Sequence, residues 1–177
     1  MVRFGLRPRI ARERSDASEP RVEKILELVA SSKYSIHDLS RCQAREEGEY
    51  YRLNMPFELG LDFGCRRFGG GRLSSKVILV LEEKRFRYQA AMSDLAGSDI
   101  EAHGGDHEVA VRKVRNWLAG LSGFERVGAA RIVADYEDFQ RWYLDRQRAA
   151  GFSDDDITDY STAELLAAMF EWDAERA

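Results

Sequence analysis

The chain is short of several things that would name a function class at once. Among 177 residues there are two cysteines, Cys42 and Cys65. They form no metal-ligand spacing and are too few for the disulfide framework of a small secreted domain, so two free thiols in a reducing compartment are expected. No apolar run approaches the ~20 residues that cross a bilayer. The Arg-rich start (Arg3, Arg7, Arg9, Arg12, Arg14) lacks the apolar stretch of a secretory signal. Neither sign of charge dominates: 27 Lys and Arg against 31 Asp and Glu give a net charge of −4. The charges are interspersed, which argues against a nucleic-acid partner. There is also no internal repeat, low-complexity tract or domain linker. A soluble, cytoplasmic chain of one α/β domain over residues 1–177 is expected.

The hydrophobic pattern supplies the elements. Val22, Ile25, Leu26 and Val29 recur at helical spacing after Pro20, which predicts a helix over 20–31. Tyr34–His37 reads as a short strand and 41–52 as a polar loop. Asn54 is a good N-cap and Pro56 fits a first turn, so a helix is expected to about Cys65, with apolar residues on nearly all its faces. Val77–Leu81 is an uninterrupted aliphatic run, the mark of a strand covered on both sides. A short helix fits 85–95, and Asp99–Ala102 is a weaker strand. Asp106 is placed to cap a helix carrying Val114, Trp117, Leu118 and Leu121. A further helix fits 129–149, and Ser161-Thr162-Ala163-Glu164 is a capping box that opens the last one. Alternating strands and helices imply a mostly parallel, three-layer sheet. Residues 1–19 are irregular or hold a residual strand, and 125–177 form a helical extension packed on the domain. Such sheets usually open with a strand and a full crossover helix. Either the sheet is short by a strand, or the start of a longer protein is missing.

In an open parallel sheet, ligands bind where the strands end and the next helices begin. Asp38 follows the 34–37 strand, and Glu58 falls in the first turn of the next helix. Both carboxylates are therefore expected on one rim, together with His37, Ser40 and Asn54. The helix dipole favours an ionised carboxylate near an N-terminus by ~0.3–1 kcal/mol. An anionic Glu58 can stabilise an oxocarbenium ion or attack an anomeric carbon. Acidic residues also enter first turns merely because they stabilise helices, and an Asp after a strand often caps a loop.

Ser35-Ile36-His37-Asp38-Leu39-Ser40 followed by Asn54-Met55-Pro56-Phe57-Glu58-Leu59-Gly60 resembles the paired motifs of nucleoside 2-deoxyribosyltransferase-like proteins. These are related in fold to NAD-cleaving bacterial TIR domains. The stretch Ser93-Asp94-Leu95-Ala96-Gly97-Ser98-Asp99-Ile100 and Val114-Arg115-Asn116-Trp117-Leu118 resembles an uncharacterised bacterial branch of that group. The resemblance covers about residues 20–100, and the narrower pattern reaches about 145. It implies a flavodoxin-like sheet with extra C-terminal helices. It also implies a catalytic Glu58 acting on a ribosyl C–N bond, with Asp38 and Asn54 contacting sugar or base. The opening strand of those relatives, whose end loop helps hold phosphate or ribose, has no counterpart before Pro20.

The expected activity is cleavage or transfer at the N-glycosidic bond of a nucleotide or nucleoside, with NAD or a deoxynucleoside as substrate. Glu58 and Asp38 are the candidate catalytic residues. Asn54, His37, Ser40, Ser93, Asp94 and Asp99 are the candidate substrate contacts. No metal or cofactor is called for, NAD entering only as substrate. The rival reading is a non-catalytic TIR-like signalling or assembly module in a bacterial defence or regulatory system. The apolar face Leu165, Leu166, Met169 and Phe170 either closes the domain or meets a second subunit, which leaves a homo-oligomer open. Other motifs are weaker. His103 and His107 are separated by Gly104-Gly105 and have no marked third ligand. Gly69–Lys76 lacks the order of a phosphate loop. Cys42 and Cys65 have no neighbouring His to activate them.

Overall fold

The structure, a computed structural model, describes residues 1–42, 44, 46–121 and 123–176. It is a mixed α/β fold whose described residues form a three-stranded parallel sheet and six α-helices. This is consistent with a flavodoxin-like arrangement carrying extra C-terminal helices. Where the sequence suggests one domain with an extension, the chain clusters into two compact units, Pro20–Trp117 and Met1–Glu19 together with Leu118–Ala177.

The first of these holds the sheet. Helix α1 (Arg21–Ser31) starts after Pro20 and buries Ile25 and Val29, while Val22 and Leu26 remain exposed, so only half of the expected stripe faces inward. Strand β1 (Tyr34–Asp38) pairs in parallel with β2 (Val77–Glu82), which pairs in parallel with β3 (Ile100–Ala102), in the order β1-β2-β3. The aliphatic run reads correctly: Leu79, Val80, Leu81 and Glu82 are all buried in succession, which requires cover on both faces. Helix α2 (Asn54–Phe68) makes the crossover between β1 and β2, and helix α3 (His107–Gly120) follows β3. Met55, Leu59 and Phe63 of α2 pack with Leu39, Ile78, Val80 and Ile100 on one face of the sheet. Trp117 of α3 meets Tyr34 edge-on at 6.0 Å. Tyr34 points opposite to Ser35 and His37, because side chains alternate along a strand. Helices therefore cover both sides.

Three local expectations change. Helix α2 is not buried all round: Leu59 and Asp62 are buried, whereas Phe57 and Phe68 are exposed. Its apolar inner stripe, Met55, Leu59 and Phe63, is an ordinary i, i+4, i+8 face. The β2–β3 connection is two 3-10 turns, Arg87–Ala90 and Ser93–Leu95, in place of one helix. Phe86 enters the first with φ 66° and Met92 lies between them at φ −138°, and neither angle continues an α-helix. In the expected loop 41–52, positions 43 and 45 lie outside the described residues, and the others form no helix or strand.

The second unit is helical. Residues Val2–Phe4 and Ala11–Glu13 form 3-10 turns, and no strand occurs among the described residues before Pro20. Arg3 ties the first turn to α4 (Ala129–Ala149) and α6 (Thr162–Ala174), pairing with Asp135 at 3.0 Å and Asp173 at 2.7 Å. Phe139, Tyr143, Trp172 and Ile157 of the short α5 (Asp154–Thr158) make the core. The predicted capping box is present: Glu164 N–H donates to Ser161 Oγ at 3.2 Å, and Ser161 N–H donates to Glu164 at 2.9 Å. No described helix is long and apolar enough to cross a membrane.

Candidate functional site

Because the strands are parallel, they end on one edge, and the residues there are Asp38, Glu82 and, one past β3, His103. Ser40 folds back onto Asp38. Its N–H and its hydroxyl donate to Asp38 Oδ1 at 2.9 and 2.5 Å, the self-bonded turn that an Asp after a strand makes readily. His103, 9% exposed, brings Nε2 to 2.9 Å from Ser40 Oγ and 3.5 Å from Asp38 Oδ2. Its other nitrogen, Nδ1, accepts the N–H of Gly105 at 3.2 Å, which leaves the ring proton on Nε2. Burial pushes the Asp38 carboxyl up, but the side-chain and backbone bonds from Ser40, with His103 beside it, hold it below its ordinary value.

The proton accounting limits what this trio can do. Ser, His and Asp are in contact, yet one imidazole nitrogen faces both partners, and it carries the proton. Ser40 donates its hydroxyl hydrogen bond to Asp38. No free base therefore faces the hydroxyl, and Ser40 is not set up as a nucleophile. What remains is a half-exposed carboxylate with Oδ1 occupied and Oδ2 turned toward a hydrogen-bond donor. Such a group suits a sugar hydroxyl.

The rim is braced from beneath. Arg87 donates to the Ser40 carbonyl at 2.7 Å, pairs with buried Glu82 at 2.5 Å and reaches Glu83 at 3.3 Å. This fixes the turn after β1 to the end of β2. Cys42 lies under the same turn, where burial, followed by the charges of Glu82 and Asp38, pushes its thiol up to about 11. It stays protonated at neutral pH, as expected for a thiol without a nucleophilic role.

Glu58 does not stand in the first turn of its helix. Helix α2 begins at Asn54 with Leu53 as its cap, which makes Glu58 the fifth helical residue, beyond the turn where the dipole acts strongly. Its partner is Arg21, at the start of α1, at 3.7 Å. Asn54 is the first residue of the helix rather than its cap, and it is exposed. The polar partners of the two candidate carboxylates are thus separate: Ser40 and His103 for Asp38, Arg21 for Glu58. Ser93, Asp94 and Asp99 are exposed on the β2–β3 connection, Asp99 just before β3 begins and so at the opposite end of that strand from His103.

His37 turns inward, away from the rim, and is 6% exposed. Its Nε2 lies 3.0 Å from Asp62 of α2, a carboxylate with no exposed surface, which also accepts a hydrogen bond from Ser35. Lys76, just ahead of β2, sits 3.2 Å from the other Asp62 oxygen. Its ammonium donates to the Val29 and Ser32 carbonyls at 2.7 and 2.5 Å, where α1 ends. Lys76 thereby supplies positive charge at a helix C-terminus. Burial pushes the Asp62 carboxyl up; His37, Ser35 and Lys76 outweigh this and hold it below its usual value.

Sequence pattern alone does not mark Asp62, Lys76, Glu82 or Arg87, and it offers His103 only as a metal ligand. Looking just past each strand end, the reasoning that found Asp38, also finds His103 and Glu82. The Asp62 cluster leaves no such local signal. Among the described residues no group of three or more His, Cys, Asp or Glu side chains is arranged to hold a metal ion. Comparison of the chain with protein-family models, with curated proteins and with solved structures finds no match in any of the three.

Proposed function

We propose that this chain breaks or transfers the N-glycosidic bond of a nucleotide or nucleoside, with NAD or a deoxynucleoside as substrate and Glu58 acting on the anomeric carbon. The observation that carries the reading is the parallel pairing of β1 and β2 across α2. Asp38 at the end of β1 and Glu58 near the start of the crossover helix then both belong to the ligand-binding edge of such a sheet. The motif resemblance around Glu58 supplies the bond type.

In this reading Asp38, through its freer Oδ2, accepts a ribose hydroxyl, and Asn54 contacts sugar or base. A Glu58 oxygen attacks the anomeric carbon while the C–N bond breaks and its electron pair leaves with the base. Water, or the nitrogen of a second base, then displaces the Glu58 ester and regenerates the carboxylate. Two free thiols, Cys42 and Cys65, accord with a reducing, cytoplasmic setting.

The Arg21–Glu58 pair favours a second reading, in which Glu58 only ties α2 to α1 within a non-catalytic TIR-like module. Base release from NAD and from deoxynucleosides, wild type against Glu58→Gln, separates the two. Release by the wild type and none by a Glu58→Gln protein of unchanged melting temperature is the expected result. An equally active Glu58→Gln protein refutes catalysis by this residue, and two inactive proteins favour the module.

A further inference from the structure

In the helical unit a cavity of ≈400 Å³ opens where α4 ends, α5 turns and α6 begins, with Tyr143, Phe152, Tyr160, Asp155 and Asp159 in its wall. We infer that this cavity binds a small alkylammonium cation, held between aromatic faces and paired with Asp155 and Asp159.

The walls come from a tight corner. Gly151 takes φ 89° at the end of α4 and swings Phe152 outward, where it is 53% exposed. Tyr143 is buried against the core and meets Tyr160 edge-on at 5.7 Å, while Tyr160 itself is 40% exposed. An ordered ring beside two partly open ones is a surface that attracts a cation through the negative faces of the rings.

Charge selects the same class of ligand. Four carboxylates line the cavity, Asp155, Asp156, Asp159 and Glu164, and no Lys, Arg or His does. Two are committed to helix caps: Asp156 accepts from Ser153 and Glu164 from Ser161, which keeps both below the usual carboxyl range. They offset the positive ends of α5 and α6. The side chains of Asp155 and Asp159 have no hydrogen-bond or ion-pair partner among the described residues, and both are exposed. A compact ammonium keeps its water and gains little from aromatic walls. An alkylated one is weakly hydrated and uses both rings and carboxylates.

The test uses the full chain with choline as the probe, its neutral isostere 3,3-dimethylbutanol as the control for shape, and methylguanidine as the control for cation type. Binding is followed by NMR shifts of the Tyr and Phe ring protons. Choline is expected to bind saturably, about threefold to tenfold or more tighter than the neutral isostere, as a cation–π contact with partial desolvation implies. The Asp155→Asn/Asp159→Asn double variant and Tyr160→Leu are both expected to weaken choline binding. Circular dichroism checks that each variant stays folded, and the substituted side chains are exposed. Absence of saturable binding, equal affinity for the neutral isostere, tighter binding of methylguanidine, or a double variant that binds choline normally each overturns the inference.

Discussion

Asp62 offers the sharpest test of how the sheet unit is held. It has no exposed surface and faces Lys76, itself 1% exposed, at 3.2 Å, with Ser35 and His37 on its other oxygen. Asp62→Asn keeps the shape and removes the charge, which strands a buried ammonium with only two carbonyl acceptors. Breaking a buried pair from one side costs about 3–5 kcal/mol. That is a large share of the roughly 5–15 kcal/mol that holds a domain folded. With a urea dependence of about 2 kcal/mol per M, the unfolding midpoint followed by circular dichroism should fall by about 2 M. Removing both charges, in Asp62→Leu/Lys76→Met, should recover part of the loss, since apolar replacement of a buried pair is often neutral, while Val29, Ser32, Ser35 and His37 lose the partners that the pair supplied. The Asp62 carboxyl is held below its unfolded-state value, so its contribution is complete above that value and disappears as pH falls through the lower, folded one. Wild type and Asp62→Asn should therefore converge in acid. A midpoint shift below about 0.5 M at neutral pH, or a double variant as unstable as the sum of the two singles, refutes the account.

Two further outcomes follow from the geometry. Ser40→Ala removes the hydroxyl bond to Asp38 and should move that carboxyl upward toward its ordinary value, which an NMR titration of the Asp38 side chain reads directly. Phe139→Ala, at a residue 3% exposed and surrounded by Trp142, Tyr143 and Trp172, should cost about 3–5 kcal/mol in an equilibrium unfolding experiment.

What could be read from the sequence was whatever one element decides by itself. Val77–Leu81 declared a strand covered on both sides because no polar residue interrupts it. Ser161 and Glu164 declared a helix start because the two bonds of the box are local. Asp106 likewise caps α3, accepting from the backbone of Glu108 and Val109 at 2.8 and 3.2 Å. Asp62 was illegible for the opposite reason. It stands between Leu61 and Phe63 in a helix that looks apolar on every side. Its burial depends on Ser35 and His37, 27 and 25 residues before it, and on Lys76 further along. The site divides the same way. Asp38 and Ser40 lie two residues apart and were found together, while His103 joins them from 63 residues away. The position of Glu58 turned on a single residue at the helix start: Asn54 lies inside the helix rather than capping it, and the expected help from the dipole fades.

Lys76 also sets an order of events. As the chain leaves the ribosome, the end of α1, strand β1 and all of α2 are made before residue 76 appears. Until then the carbonyls of Val29 and Ser32 and the Asp62 carboxylate lack the one nitrogen that serves all three. The first half of the sheet unit is therefore expected to mature together with β2 rather than piece by piece. Its completion waits on the residue that leads into the central strand, so α1, α2 and β2 should settle as a single cooperative step.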